Sequence, residues 1–169
     1  MVVNAGWEGR YYEDFKVGDC YRHPLGRTIT ETDNIWFTLL TMNPNQLHFN
    51  REYGARTEFG QCLVDSTLTL AIVTGLSVTD ISQNAVANLG WDEVRLHNPV
   101  FAGDTIYAES EVLTKRESKT KPYAGILEVK TRGINQRGKV VVTFRRTIMV
   151  YKQGNAPQKD LFPTVVDEI

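Results

Sequence analysis

Two cysteines in 169 residues, no block of one-signed charge and no long apolar run set the first limits on this sequence. Cys20 and Cys62 have the spacing of neither a metal site nor a redox pair, and two thiols do not make a disulfide framework. They are expected as free, buried thiols in a reducing compartment. The 19 basic and 20 acidic residues are interspersed and leave a net charge of −1. Neutralising phosphates needs a one-signed patch, so nucleic acid is excluded as the main partner. The longest apolar-rich stretch, residues 68–78, is interrupted by Thr69, Thr74 and Gly75 and is too short to span a bilayer. The residues up to Trp7 carry no basic or long apolar segment of the secretory kind. The expectation is a cytoplasmic protein with no membrane contact.

What is there is ordinary globular material, 41% apolar and 23% charged. That is enough for one domain with its own core. Residues 1–10 read as an N-terminal extension, 11–152 as the domain and 153–169, with Gly154, Pro157 and Pro163, as a loosely held tail.

Alternation and β-branched content predict strands over residues 26–30, 85–95, 104–114, 126–133 and 140–151. Ile106, Ala108, Ser110 and Val112 form one face of the third. Val142, Phe144 and Ile148 are candidate core residues of the last. Residues 135–138 offer hairpin turn chemistry, with Gly138 free to take positive φ. Thr30 and Asp33 have the form of a capping box. The helix they start carries Ile35, Phe37, Leu39 and Leu40 and is expected to end at Pro44. A second helix starts at Asp65 or Ser66 and is apolar nearly all round through Leu68, Leu70, Ile72, Val73 and Leu76, the mark of burial on most sides. One buried helix before four or five antiparallel strands is accommodated by a curved sheet wrapped around it. The predicted fold is therefore α+β, of the hot-dog type.

His48 stands just after a helix-breaking proline, with Asn43 and Asn45 close by in sequence. Three polar side chains within six residues can converge on one point, and they can equally form an Asx turn. Local chemistry leaves both readings open.

The segment from Thr41 to Asn50, with Asn43, Pro44 and His48, resembles the active-site loop of the MaoC-like, (R)-specific enoyl-CoA hydratase family. Phe59-Gly60 resembles the turn before that family's central helix. Pro99-Val100-Phe101-Ala102-Gly103-Asp104-Thr105 resembles the stretch leading into its next strand. The resemblance covers roughly residues 11–152. It implies a lyase that adds water reversibly to a 2-enoyl-CoA, giving a 3-hydroxyacyl-CoA, with no cofactor beyond the CoA of the substrate. A short or branched substrate, like mesaconyl- or methylmalyl-CoA, falls within its range. A thioesterase, or a non-catalytic acyl-CoA-binding protein of the same fold, are the alternatives.

The family carries an aspartate five residues before the histidine, and here Asn43 stands there, as in a subgroup with asparagine in place of the acid. The resemblance thus implies Asn43 as the group that holds water and His48 as the acid–base group. It also implies the backbone amide of Ser66 as the oxyanion donor. Asp65 and Glu58 are candidates for a replacement carboxylate, against ordinary readings as a helix cap and a surface residue. Arg56, Arg116, Lys130, Arg132, Arg145 and Arg146 could meet CoA phosphates, but most suit solvated strand faces. Trp36, Trp91 and Phe101 are expected in the core or at an interface. Pairing of two chains edge to edge, as a homodimer or an oligomer of dimers, would cover the exposed edge of such a sheet.

Overall fold

The computed structural model describes residues 4, 6–164 and 166; residues 1–3, 5, 165 and 167–169, within the expected extension and tail, lie outside it. Six strands form one antiparallel sheet: β1 (Cys20–Arg22), β2 (Arg27–Thr28), β3 (Ala85–Leu96), β4 (Thr105–Glu117), β5 (Ala124–Asn135) and β6 (Val140–Tyr151). The spatial order is β1-β4-β5-β6-β3, with β2 also on β4. Among the described residues three α-helices precede β3: α1 (Glu31–Leu40), the short α2 (Arg51–Ala55) and α3 (Ser66–Leu76). The sheet curves around α3, which is the hot-dog arrangement.

The β4–β5–β6 meander follows from its sequence. Ile106, Ala108, Ser110 and Val112 are all buried, and so are Val142, Phe144 and Ile148. Gly138 turns the β5–β6 hairpin at φ +74°. The core has two main parts. One joins Leu68 and Val73 of α3 to Ile29, Val100, Ile106 and Phe144. The other joins Tyr12, Phe15, Ile81, Val112, Leu127 and Ile148 at the far end of the sheet. Between the sheet and the segment after α3 runs a buried polar chain. Thr131 donates to Ser110 (2.8 Å), Ser110 to Nε2 of His23 (3.0 Å), and Nδ1 of His23 to Asp80 (2.9 Å). Ser110 is 1% exposed, so this Ser–His–Asp order braces the sheet and is sealed from substrate.

Several expectations are corrected. The strand β1 was not foreseen: three residues are too few for a periodicity. Helix α1 stops at Leu40, short of Pro44, because Met42 turns into the left-handed region at φ +56° and the Asn43 amide then donates to the Thr38 carbonyl. The buried side of α1 is Asn34 and Thr38, while Trp36, Leu39 and Leu40 are 64%, 72% and 78% exposed. Trp91 is half-exposed as well, so of the expected core or interface places Trp36 and Trp91 keep only the interface; Phe101 packs at a tilt on Phe59. Within one chain α3 is buried only through Leu68, Thr69 and Val73, with Ala71 and Gly75 exposed, because the sheet covers one side of it. Both cysteines are free, but Cys20 is exposed and Cys62 half-buried. Among the described residues no helix is long and apolar enough to cross a membrane.

Candidate active site

The loop after α1 is built by its own polar side chains. Asn43 Oδ1 accepts the Asn45 amide (3.0 Å) around Pro44, and Asn45 Oδ1 accepts the Leu47 amide (3.1 Å). The second contact caps a single turn, Gln46–His48, which delivers His48 into the protein at 8% exposure. The Asx turn and the functional reading of this segment are thus the same geometry.

His48 is oriented by one hydrogen bond. Its Nδ1 lies 2.8 Å from the Leu63 carbonyl, which can only accept. Nδ1 therefore carries the proton of the neutral ring, and Nε2 presents a lone pair. Nε2 lies 3.8 Å from Asp65 Oδ2. Asp65 caps α3, its Oδ1 accepting the amides of Thr67 (2.7 Å) and Leu68 (3.3 Å). Its Oδ2 accepts Nδ2 of Asn43 at 2.7 Å. Burial by itself would raise the pKa of Asp65. The donors Thr67, Asn43 and Leu68 outweigh it and hold the carboxyl below its ordinary value. Asp65 is thus both a helix cap and a neighbour of His48.

Asn43, His48 and Asp65 come together; Ser66 follows as the first residue of α3. Its side chain is exposed, and its amide, at the first helical position, has no acceptor among the described residues. Glu58 is exposed and makes no hydrogen bond or ion pair with these groups among the described residues. Of the basic candidates, Arg132 pairs with Glu109 and Arg145 with Glu93 and Glu128. Arg146 is buried against Ser77.

Two further residues hold the site and carried no sequence signal as functional. Asn34, buried on α1, donates to the carbonyls of His48 (2.7 Å) and Leu63 (3.0 Å) and accepts the Asp65 amide (2.8 Å). One side chain therefore ties all three site segments. The only hint is its type: asparagine is a poor helix-interior residue without such a duty. Gly54 lets α2 lie against the next segment, since a Cβ there would stand 2.7 Å from the Cys62 amide nitrogen.

In a single chain these groups face different clefts. His48 opens on one of about 310 Å³ shared with Asn34, Arg51, Gln61 and Cys62. Ser66 opens on one of about 210 Å³ with Phe59, Leu63, Leu96, His97 and Val141. The second is below the roughly 300–1,000 Å³ typical of small-molecule sites, and its wall includes Leu96 at the end of the edge strand β3.

A buried histidine with a free Nε2, a carboxylate beside it and an unpaired helix N-terminal amide can activate water and receive negative charge on a carbonyl oxygen. Known proteins are similar to this chain in sequence and fold. A mesaconyl-CoA hydratase of Cereibacter sphaeroides is 36% identical over 156 residues, covering 92% of this chain and 44% of the relative. A beta-methylmalyl-CoA dehydratase of Chloroflexus aurantiacus is 35% identical over 162 residues, 95% of this chain and 45% of the relative. The chain thus spans about half the length of these curated relatives. A solved structure, the monoamine oxidase regulatory protein of Archaeoglobus fulgius, superposes with a TM-score of 0.75 at 31% identity, covering 87% of this chain and 98% of that one. Residues 14–132 match the family model described as MaoC like domain. The chain belongs to the MaoC-like domain family.

Proposed function

We propose that this protein catalyses the reversible addition of water to a 2-enoyl-CoA thioester, giving a 3-hydroxyacyl-CoA. The observation that carries the reading is His48: buried, pinned through Nδ1 to the Leu63 carbonyl, with its free Nε2 facing a carboxylate one residue before the start of α3. His48 Nε2 takes a proton from the water as its oxygen bonds to C3. The π electrons shift through C2 to the thioester oxygen. The Ser66 N–H, at the positive end of α3, stabilises that oxyanion, with the acyl group bridging the two clefts that stand apart in a single chain. As the enolate collapses, the imidazolium returns its proton to C2, so water is consumed whole and the enzyme is regenerated. Asn43 contributes by holding Asp65 in place. The reaction needs no cofactor beyond the substrate's own CoA.

The mesaconyl-CoA and beta-methylmalyl-CoA named for the relatives make a short, branched acyl group the first substrate to try. A homodimer fits the same reading. Strand β3 is 12 residues long and forms one end of the sheet, and Leu89, Trp91 and Leu96 along it are 48%, 45% and 55% exposed. Such an edge calls for a partner strand. A second copy beside β3 would also wall the cleft that Leu96 shares with Ser66.

The test offers crotonyl-CoA and mesaconyl-CoA and follows enoyl absorbance together with free thiol. Loss of absorbance without thiol is the expected result. Thiol release would make the protein a thioesterase, and no change a binding protein. A His48→Ala variant with the full wild-type rate would overturn the role of His48.

A further inference from the structure

We propose that Asp65, from the start of α3, supplies the catalytic carboxylate that binds the attacking water, and that Asn43 serves it as a positioning residue. The inference rests on the hydration reading above. Among the described residues Asp65 is the one acid within 4.0 Å of a ring nitrogen of His48. Its two oxygens have separate duties. Oδ1 takes the amides of Thr67 and Leu68 and so completes the cap. A cap needs no more than one oxygen, and serine, threonine or asparagine would provide it.

Oδ2 is left over from capping and is aimed elsewhere: at Asn43 Nδ2, 2.7 Å away, and towards His48 Nε2, 3.8 Å away. That second distance is too long for a direct hydrogen bond and short enough for one water placed beside the pair to touch both atoms. Both are acceptors. A water there gives one hydrogen to Oδ2 and the other to Nε2, which turns its lone pair outward to C3. His48 removes its hydrogen as the C3–O bond forms; the other stays on the new hydroxyl, still bonded to Oδ2. The carboxylate then faces the imidazolium and stabilises it until C2 is protonated. Asn43 carries no charge to offer the water or the imidazolium; its oxygen accepts the Asn45 amide and its nitrogen donates to Asp65, which suits it to hold the carboxylate. The acid stands on the helix and the amide on the loop.

The test is a reciprocal exchange across that 2.7 Å contact, assayed on crotonyl-CoA and mesaconyl-CoA with thermal midpoints alongside. Asp65→Asn retains a capping oxygen and should keep its midpoint within a few degrees, yet lose about 100-fold or more in kcat. Asp65→Ser, which also caps, should lose as much. Asn43→Asp alone sets two carboxylates face to face and should be slow as well. The double variant N43D/D65N restores a carboxylate–amide pair and should recover at least tenfold over D65N. D65N or Asp65→Ser within threefold of wild type overturns the proposal, as does a folded double variant no faster than D65N. If the wild type hydrates and H48A does not, either result leaves the hydration reading standing. A wild type that hydrates neither thioester overturns both.

Discussion

The side-chain amide of Asn34 donates to the main-chain carbonyl of His48 at 2.7 Å from inside α1. The same amide group reaches Leu63, whose carbonyl orients the imidazole, and accepts the amide of Asp65. The position of the histidine is thus set by a residue 14 places earlier in the chain, on another element. Replacing Asn34 by Ala should cost about 2–4 kcal/mol, because two carbonyls and one N–H lose a buried partner. Denaturant unfolding measures that loss. Activity should fall further than the population of folded protein does.

Gly54 sets a second, steric condition. A Cβ there would meet the Cys62 nitrogen at 2.7 Å and the Gln61 carbonyl carbon at 2.8 Å, both backbone atoms that have little freedom to move. Gly54→Ala is expected to destabilise by about 1–3 kcal/mol through overpacking. It should also lower kcat by displacing the segment that carries the Leu63 carbonyl, a change read by steady-state assay.

His23 makes the fold sensitive to mild acid. Burial lowers its pKa below the ordinary 6.5, in spite of the Asp80 carboxylate, and nearby Arg146 and Arg10 add to the effect. The unfolded chain takes up a proton as pH falls through 6.5, while the native state resists it. Stability should therefore be unaffected by this group above pH 7 and decline below about 6.5. Unfolding curves between pH 7.5 and 5.5 in wild type and His23→Gln test this: the variant, although less stable at pH 7.5, should show the shallower decline.

The free edge of β3 gives a prediction about assembly. Lysines at Leu89 and Trp91, both about half exposed, should oppose strand pairing and leave the single-chain core intact. Sedimentation should show wild-type dimers and a variant shifted towards monomer. A variant that stays dimeric with an unchanged midpoint would place the interface elsewhere.

Much of the fold was legible in the sequence because its signals are local. Alternation in β4 and β6 placed Val112 and Phe144 inside, the Thr30–Asp33 pair started α1, and Asp65 or Ser66 marked the start of α3, each within a few residues of chain. The loop that carries Asn43 and His48 was also legible, through its proline and its polar spacing. The inner face of α1 was not: its apolar positions include Leu39 and Leu40, which are exposed, and the buried positions went to Asn34 and Thr38. Hydrophobicity ranks side chains, but it cannot weigh a hydrogen-bonding duty towards segments distant in sequence.

The sequence by itself determined that a histidine follows the loop and that an acid begins the central helix. Only the tertiary structure brought Asp65 Oδ2 to within 3.8 Å of His48 Nε2, with Asn43 between loop and helix. The physical reason is that this contact is set by how α1, the loop and α3 are held together, through Asn34, Gly54 and the Val64–Val100 backbone hydrogen bond. No periodicity or cap records a distance between residues 17 positions apart.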